Sequence, residues 1–217
     1  GQFEPIPLTE FIQQAFKSNL YDTELYNYYS EEEINIADSF VDHSRDFLFT
    51  YAGLQQLSDK YLIKNRKTGQ LYETPQYMYI LISLWLFSDY PKETRMDYVK
   101  SYYDNISLFK INLPTPIMNG VRTKLRSYSS CCLIETEDSL DSILATQTYA
   151  ALYSAWRAGI GINAGAIRAI GSPIRGGEAQ STGLIPFLKP IQYSIKSTSQ
   201  GGARGGAATV YLPWWHY

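Results

Sequence analysis

Apolar residues in the first half of the chain recur at the three- and four-residue spacing of a helix. The clearest run comprises Tyr77, Ile80, Leu81 and Leu84. This spacing places the four side chains on one side of a helix, and the residues around them are also apolar. The pattern therefore predicts a buried helix over residues 75–87.

Helix-start residues predict two more helices in this half. Ser30 and Glu33 have the spacing of a capping box, so a helix should follow them as far as residue 40. Pro91 is tolerated in a first turn, and a helix is expected from there to about residue 108. The first part of the chain, residues 1–127, is accordingly predicted to be a helical domain.

Beyond Pro116 the pattern becomes mixed, because short apolar runs alternate with longer amphipathic ones. Strands are predicted over residues 129–135, 159–164 and 210–212, the first of them buried, and helices over residues 138–156 and 184–197. Pro190 should strain or kink the second of these helices. The predicted fold class is mixed α and β, with a helical first part and an α/β second part over residues 128–217.

Eleven of the fifteen glycines lie between residues 159 and 206, and they predict glycine-rich loops over residues 171–183 and 200–208. Arg168, Arg175 and Arg204 lie in or beside these loops. Guanidinium groups suit phosphate oxygens, and glycine lets backbone N–H groups approach an anion. The loops are therefore candidates for phosphate recognition, although ordinary surface arginines explain the composition equally well.

Composition and charge exclude several classes of protein. The chain has 217 residues, of which 45% are hydrophobic, and a net charge of −2, so neither disorder nor a broad nucleic-acid surface is expected. The longest apolar run is far shorter than the roughly 20 residues of a membrane helix. No secretory signal is recognised and only two cysteines are present, so a reducing, cytoplasmic location is expected.

The two cysteines, Cys131 and Cys132, are adjacent. Their Cα atoms must lie about 3.8 Å apart, whereas disulfides usually span roughly 4.4–6.8 Å. A redox partner for either thiol would therefore come from outside the chain, and a pair of small buried strand residues remains the other interpretation. His43 and His216 stand alone, so no metal site is predicted and both are expected to be surface or hydrogen-bonding residues.

Six motifs occur in an order that resembles the large, catalytic subunit of the aerobic class I ribonucleotide reductases. They are LPTP at 113–116, SSC at 129–131, DSLDSI at 138–143, RAGIGINAG at 157–165, GSPIRGGE at 171–178 and SQGGARGGAAT at 199–209. The resemblance covers essentially the whole chain and is densest from residue 113 to 216.

The resemblance implies roles for individual residues. Cys131 matches the redox cysteine that reduces the substrate ribose and becomes half of a disulfide, while Cys132 matches no catalytic residue. The implied substrate contacts are Thr115 near the diphosphate, Ser130 at the ribose, and the backbone of Ala158 and Gly159 near the base. The implied site for a deoxynucleoside triphosphate or ATP effector comprises Asp138, Ser139, Leu140, Arg168 and Arg175. The implied loop that reports the effector to the substrate site includes Ser199, Gln200, Gly201, Gly202, Arg204 and Gly205.

The resemblance also implies a fold and partners. The helical domain would lead into the opening strands of a ten-stranded α/β barrel, which another chain would finish. Other cysteines of the family's active site and its ATP-cone domain have no counterpart here, so the chain is expected to be a piece of the large subunit. No cofactor is expected in this chain, apart from Mg²⁺ with the effector; a metal-radical cofactor is expected in the small subunit.

The expected partners are the remaining C-terminal part of the large subunit, the radical-generating small subunit, nucleotides, and a second copy at the effector site. Nucleic acid and membrane are not expected partners, and the expected location is the cytoplasm, or the host cytoplasm for a viral protein. The alternative function is a non-catalytic module for effector binding and dimerisation.

Overall fold

A computed structural model of the chain describes residues 5–65, 67–199 and 205–216, without the side chain of Tyr26. The chain divides into two compact units, Gly1–Tyr128 and Ser129–Tyr217. The described elements of the first unit are helical, whereas helices and strands alternate in the second. The predicted mixed fold class with a helical first part is therefore confirmed.

The first unit contains seven α-helices and one 3₁₀ helix among its described residues. They are α1 (Leu8–Lys17), α2 (Leu25–Tyr28), α3 (Glu31–Asp38), the 3₁₀ helix His43–Leu48, α4 (Tyr51–Lys60), α5 (Pro75–Leu86), α6 (Arg95–Ser107) and α7 (Thr115–Gly120).

Helix α5 is the centre of the first unit, which confirms the predicted buried helix. Every residue from Pro75 to Leu84 is buried. A helix that is apolar on all sides is stable only when other elements surround it. Its start is encoded locally, because the Thr74 hydroxyl accepts a hydrogen bond from the N–H of Tyr77 at 3.2 Å and Pro75 occupies the first turn.

Two ion pairs of low exposure connect distant parts of the first unit. The side chains of Arg122 and Glu73 are completely buried, and the guanidinium donates to both carboxylate oxygens. The hydroxyl of Tyr21 donates to the same carboxylate at 3.1 Å. The Nε of Arg95 donates to Glu33 at 2.7 Å, and Glu33 also closes the predicted capping box of α3.

The predicted bounds of two helices need correction. Helix α3 ends at Asp38, two residues before the predicted end. Helix α6 begins at Arg95 rather than in the turn that starts at Pro91, because the backbone of Thr94 between them has a non-helical φ of −124°. The Pro91 carbonyl closes the turn by accepting hydrogen bonds from the N–H groups of Thr94 and Arg95. That turn precedes the helix instead of forming its first turn.

The second unit contains a parallel sheet and a short hairpin. The described elements are β1 (Cys131–Glu135), α8 (Leu140–Ala155), β2 (Gly159–Asn163), β3 (Pro173–Ile174), β4 (Ala179–Gln180), α9 (Ile185–Ser199) and β5 (Ala208–Tyr211). The parallel strands lie in the order β1-β2-β5, and β3 pairs with β4 in the antiparallel hairpin. Helices α8 and α9 are the crossover connections that parallel pairing requires.

The two faces of the parallel sheet differ. Ile160, Ile162 and the partly buried Cys132 belong to the core that the sheet shares with α8 and α9. The alternate residues form a face that no described helix of the second unit covers; Leu133 on it is 83% exposed. The prediction of a buried strand over residues 129–135 was therefore right in its type and wrong in its burial, because β1 is covered on one side only.

Two further expectations for this unit differ from the structure. The glycine-rich loop over residues 171–183 contains the β3–β4 hairpin, and β5 starts two residues before the predicted strand. Helix α9 continues through Pro190, and the strain or kink expected there stays a prediction. Pro190 lacks the N–H that would bond the carbonyl of Pro186, and both prolines lie on the exposed side of the helix, where water can take that bond.

Candidate functional site

Cys131 is the first residue of β1 and lies at the amino-terminal end of the parallel sheet. Its thiol is exposed and free. The Ser130 hydroxyl points to the Cys131 sulfur at 3.7 Å, and the N–H of Gly159 donates to the Ser130 carbonyl at 2.8 Å. In the parallel register Cys131 stands beside Gly159. The structure thus brings together three of the residues that were predicted to contact substrate.

Cys132 has a different environment from its neighbour. Successive side chains of a strand point to opposite faces, so Cys132 faces the helices while Cys131 faces the open side. Cys132 is partly buried and packs against the core of the second unit. The interpretation of two buried cysteines is therefore wrong for Cys131 in this chain, because the open face leaves its thiol accessible.

Two predicted substrate contacts remain: Ala158, which is buried in the second unit, and Thr115, which lies in the first unit. The side chain of Ala158 is buried in the second core, and its N–H donates to the carbonyl of Tyr153 at 3.0 Å. Thr115 begins α7 in the first unit, where its hydroxyl lies 3.1 Å from that of Tyr61. Both roles stay predictions.

Asp138 and Arg168 form the best-defined polar contact at the carboxyl-terminal end of the sheet. The Nε of Arg168 donates to both oxygens of Asp138, at 2.9 and 3.1 Å. The backbone N–H of Arg168 donates to the same carboxylate at 3.0 Å. Asp138 follows β1 and Arg168 follows β2, so the parallel pairing of these strands brings the two residues together.

The environment of Asp138 favours its charged form. Partial burial raises the pKa of this carboxyl, but the hydrogen bonds and the positive charge of Arg168 outweigh that effect. The net result is a pKa of Asp138 below its ordinary value. The carboxylate is therefore ionised at neutral pH, and it already has a partner that a ligand would have to share or displace.

Ser139 and Leu140 mark the start of α8, as the sequence predicted. The Ser139 hydroxyl accepts a hydrogen bond from the N–H of Ser142 at 3.1 Å and caps the helix. Leu140 is the first helical residue, and its side chain is 60% exposed. Since the cap already uses the Ser139 hydroxyl, a ligand at this end would meet the free N–H groups of the first turn.

Arg175 lies in the turn of the β3–β4 hairpin, where its backbone has a positive φ of 52°. Its side chain is exposed, and no hydrogen bond or ion pair of it occurs within the part of the chain that is described. Arg168 contacts the same hairpin by donating to the carbonyl of Pro173 at 3.1 Å. The guanidinium of Arg175 therefore has no partner among the described residues, whereas the guanidinium of Arg168 is already paired with Asp138.

Of the predicted effector-reporting loop, only the ends belong to the described residues. Ser199 is the last residue of α9, and its hydroxyl donates to the Lys196 carbonyl at 3.0 Å. A Cβ atom on Gly205 would meet open space, whereas one on Gly206 would lie 2.6 Å from the Ile195 carbonyl oxygen. Gln200, Gly201, Gly202 and Arg204 lie outside the described residues.

The two groups of predicted site residues lie at opposite ends of the parallel sheet. Cys131 begins β1, and Asp138 follows the end of that strand at Glu135. Four steps of about 3.3 Å separate Cys131 from Glu135, so the two ends are about 13 Å apart along the strand. The groups therefore define two separate sites rather than one.

Sequence reasoning missed two contacts at the carboxyl-terminal end of the parallel sheet. The side-chain amide of Asn163 donates to Glu135 at 2.8 Å. The Nε2 of His216 lies 2.7 Å from the carbonyl oxygen of Ile167, so the expectation of a hydrogen-bonding histidine is confirmed for His216. No local signal could identify these partners, because they meet only when the strands pair in register.

Neither a metal-ligand cluster nor a membrane-spanning helix occurs among the described residues. No three of their His, Cys, Asp or Glu side chains converge in a way that could hold a metal ion. No described helix is long and apolar enough to span a bilayer.

The family models of two ribonucleotide reductase domains match successive parts of the chain. The all-alpha domain matches residues 47–126, and the barrel domain matches residues 129–217. The chain therefore belongs to the large-subunit family of the ribonucleotide reductases. Its helical first unit corresponds to the all-alpha domain, and its parallel strands are the start of the barrel.

Individual relatives agree with this assignment. The chain is 57% identical over 216 residues to ribonucleoside-diphosphate reductase 1 subunit alpha of Escherichia coli K12, and 49% identical to the subunit alpha of Enterobacteria phage T4. It is 33% identical over 207 residues to the subunit alpha of Treponema pallidum. The match covers 100% of this chain for the first two and 95% for the third, but only 24–28% of the length of these relatives.

Proposed function

We propose that this chain is part of the large subunit of a ribonucleoside-diphosphate reductase and contributes one redox thiol, Cys131. The observation that carries the proposal is the position of that thiol. It is exposed on the open face of the sheet, beside Ser130 and Gly159, in a chain that is similar along its whole length to reductase alpha subunits.

The proposed reaction replaces the 2′-hydroxyl of a ribonucleoside diphosphate by hydrogen. Radical chemistry breaks the C–O bond, and the hydroxyl leaves as water. Two thiols together supply the two electrons and two protons, and they become a disulfide. Cys131 would supply one of these thiols, while the Ser130 hydroxyl and the Gly159 backbone next to it would contact the ribose and the base.

The second thiol must come from outside this chain. Cys132 is the chain's other cysteine, and it faces the helix-covered side of the sheet. Adjacent residues also lie too close together along the backbone for an ordinary disulfide. We therefore assign the partner thiol to the remaining part of the large subunit, which would also complete the barrel over the open face.

The second proposed site binds a deoxynucleoside triphosphate or ATP as effector. Asp138 would bind the ribose, Arg168 and the exposed Arg175 would bind phosphates, and the first turn of α8 at Ser139 and Leu140 would add N–H groups. The loop over residues 199–205 would carry the effect to the substrate site. Mg²⁺ would be held mainly by the triphosphate oxygens, as is usual for this ion.

Self-association is part of the proposed assembly. Leu144 and Leu152 of α8, and Trp156 directly after its last residue, are spaced along one side of the helix, and each is at least half exposed. Such a run of apolar side chains favours burial against another protein surface. We propose that a second copy of the chain binds at this helix. The other proposed partner is a small subunit that carries the metal-radical cofactor, and the proposed location of the assembly is the cytoplasm.

Reconstitution tests the redox role. The chain, the remaining part of the large subunit and the small subunit are mixed, and the formation of deoxynucleotide from a ribonucleoside diphosphate is measured. Cys131→Ser should abolish turnover with dithiol reductants, because a serine cannot form the disulfide.

Cys132→Ser is the matched control, since it changes the neighbouring residue by the same single atom. It should leave the chemistry intact and alter stability only, because Cys132 packs in the core. Activity of the Cys131→Ser assembly equal to that of the parent assembly would refute the redox role.

A second candidate is a module that binds effector and dimerises without taking part in chemistry. The exposed apolar side of α8 next to the Asp138–Arg168 pair favours it. Calorimetry with deoxynucleoside triphosphates separates the two functions. Binding without turnover in every reconstituted mixture supports the module, whereas turnover that depends on Cys131 supports the reductase.

A further inference from the structure

We propose that His216 is a positioning residue for Arg168, and that it sets the orientation of the peptide group through which Arg168 meets Asp138. The inference rests on the proposed effector site, and it adds to that site a residue from the segment that follows β5. His216 does not touch the proposed ligand; it acts through the backbone.

The segments after β2 and β5 contact each other at three successive points. The N–H of Ala164 donates to the carbonyl of Tyr211 at 3.1 Å. Gly165 then packs against Pro213, and the carbonyl of Ile167 lies 2.7 Å from the Nε2 of His216. The contact at His216 is the last of the three before Arg168.

Gly165 has no room for a side chain. A Cβ atom there would lie 2.8 Å from the Cδ of Pro213, and a proline ring cannot swing away as a flexible side chain would. The close approach keeps the two segments side by side, so that the imidazole of His216 reaches the Ile167 carbonyl.

The tautomer of His216 follows from its partner. A carbonyl oxygen only accepts hydrogen bonds, so the Nε2 of His216 must carry the hydrogen. The imidazole is half-buried in this position. Its role is therefore that of a fixed donor to the backbone of the neighbouring segment.

The carbonyl that His216 holds belongs to the same peptide group as the N–H of Arg168. A trans peptide is planar, and its C=O and N–H point in opposite directions. This one receives a hydrogen bond from His216 on one side and donates to Asp138 at 3.0 Å on the other. Rotation of the peptide would break both bonds, so the donor on one side stabilises the alignment on the other.

The guanidinium of Arg168 depends on the same alignment. Its Nε reaches Asp138, and one terminal nitrogen reaches the carbonyl of Pro173 in the hairpin that carries Arg175. A change in the backbone at Arg168 shifts the start of this side chain. His216 thus connects the end of β5 to both arginines of the proposed effector site.

His216→Phe and His216→Gln test the inference. Phenylalanine keeps a ring of similar size and removes the donor, whereas the side-chain amide of glutamine can restore a donor near the position of Nε2. Trp214→Phe is the control, because Trp214 is 91% exposed and lies in the same segment.

The first measurement is hydrogen exchange of the Arg168 amide in the chain itself. His216→Phe should speed this exchange by roughly two- to tenfold, the range expected for the loss of one hydrogen bond. His216→Gln should recover much of the protection, and Trp214→Phe should match the parent chain. Unchanged exchange in His216→Phe would overturn the inference.

The second measurement is the activity of the reconstituted enzyme as a function of dTTP concentration, with Mg²⁺ present. His216→Phe should raise the half-saturating dTTP concentration by a similar factor, with the same maximal effect at saturating dTTP and recovery in His216→Gln. Equal half-saturation in the parent and in His216→Phe would overturn the inference. Failure of the parent enzyme to bind dTTP would refute the effector site itself, and the exchange of the Arg168 amide would then decide alone whether His216 holds the peptide.

Discussion

Replacing Arg122 with methionine would leave the carboxylate of Glu73 buried without its counter-charge. Neither the Arg122 nor the Glu73 side chain has any exposed surface, and the Arg122 guanidinium supplies the positive charge that the Glu73 carboxylate faces. Removing one partner of a buried ion pair typically costs about 3–5 kcal/mol. Since whole domains are stable by only about 5–15 kcal/mol, this single change should remove a large part of the stability.

The other partners of Arg122 increase the loss. Its guanidinium also donates to the carbonyls of Tyr61, at 3.0 Å, and Met118. Both carbonyls would lose a charged donor, and Tyr21 would keep only a carboxylate that lacks its counter-charge. These contacts join the start of the unit to residues 61–73 and 118–122, so the damage should affect the whole unit.

Urea denaturation of the full chain, followed by circular dichroism, measures the effect. A double variant, Arg122→Met with Glu73→Leu, should recover about 2–3 kcal/mol relative to the sum of the single changes, because it removes both charges together. Arg126→Met is the control at a half-exposed arginine. Arg126 pairs with the exposed Glu24 and with Asp22, whose side chain is 9% exposed, so its loss should cost clearly less than the loss of the fully buried Arg122. An Arg122→Met midpoint equal to that of Arg126→Met would refute the reasoning.

Two further predictions concern the second unit. Because Arg168 holds the pKa of Asp138 below its ordinary value, their contact should persist at the pH where an ordinary aspartate is half protonated, about 3.9, and should be lost as the pH falls further; a midpoint at or above about pH 4 for the Asp138 carboxyl carbon in an NMR titration would contradict this. Gly206→Ala should lower stability by about 1–3 kcal/mol in thermal melts, since its Cβ would lie 2.6 Å from the Ser154 hydroxyl oxygen. Gly205→Ala, which meets open space, should change the melting temperature little, and equal effects of the two substitutions would show that packing is not the cause.

The starts of most of the helices that were predicted follow from local signals. The capping box of α3, the Thr74–Pro75 start of α5 and the Ser139 cap of α8 depend on residues within one turn. The exception is α6, where the Pro91 signal was real but marked a turn before the helix. Proline restricts φ in both structures, so the residue alone could not distinguish them.

The membership of the proposed sites rests on the family resemblance, and the roles of these residues stay predictions. The resemblance assigned Cys131, Asp138, Arg168 and Arg175 to the two sites. The separation of the thiol from the charged residues by the length of β1, and the pairing of Asp138 with Arg168, were not visible in the motifs. Strand register decides both features, and a register is a property of two segments that are distant in sequence.

The sequence by itself determined the buried helix α5, the starts of α3 and α8, the approximate places of the three parallel strands, the mixed fold class and the family, because each follows from residues that are near each other or from motifs read in order. Only the tertiary structure decided that Cys131 faces an open side of the sheet while Cys132 faces the helices, and that His216 holds the Ile167 carbonyl. The physical reason is that side-chain exposure and long-range hydrogen bonds depend on which strands pair and which face the crossover helices cover.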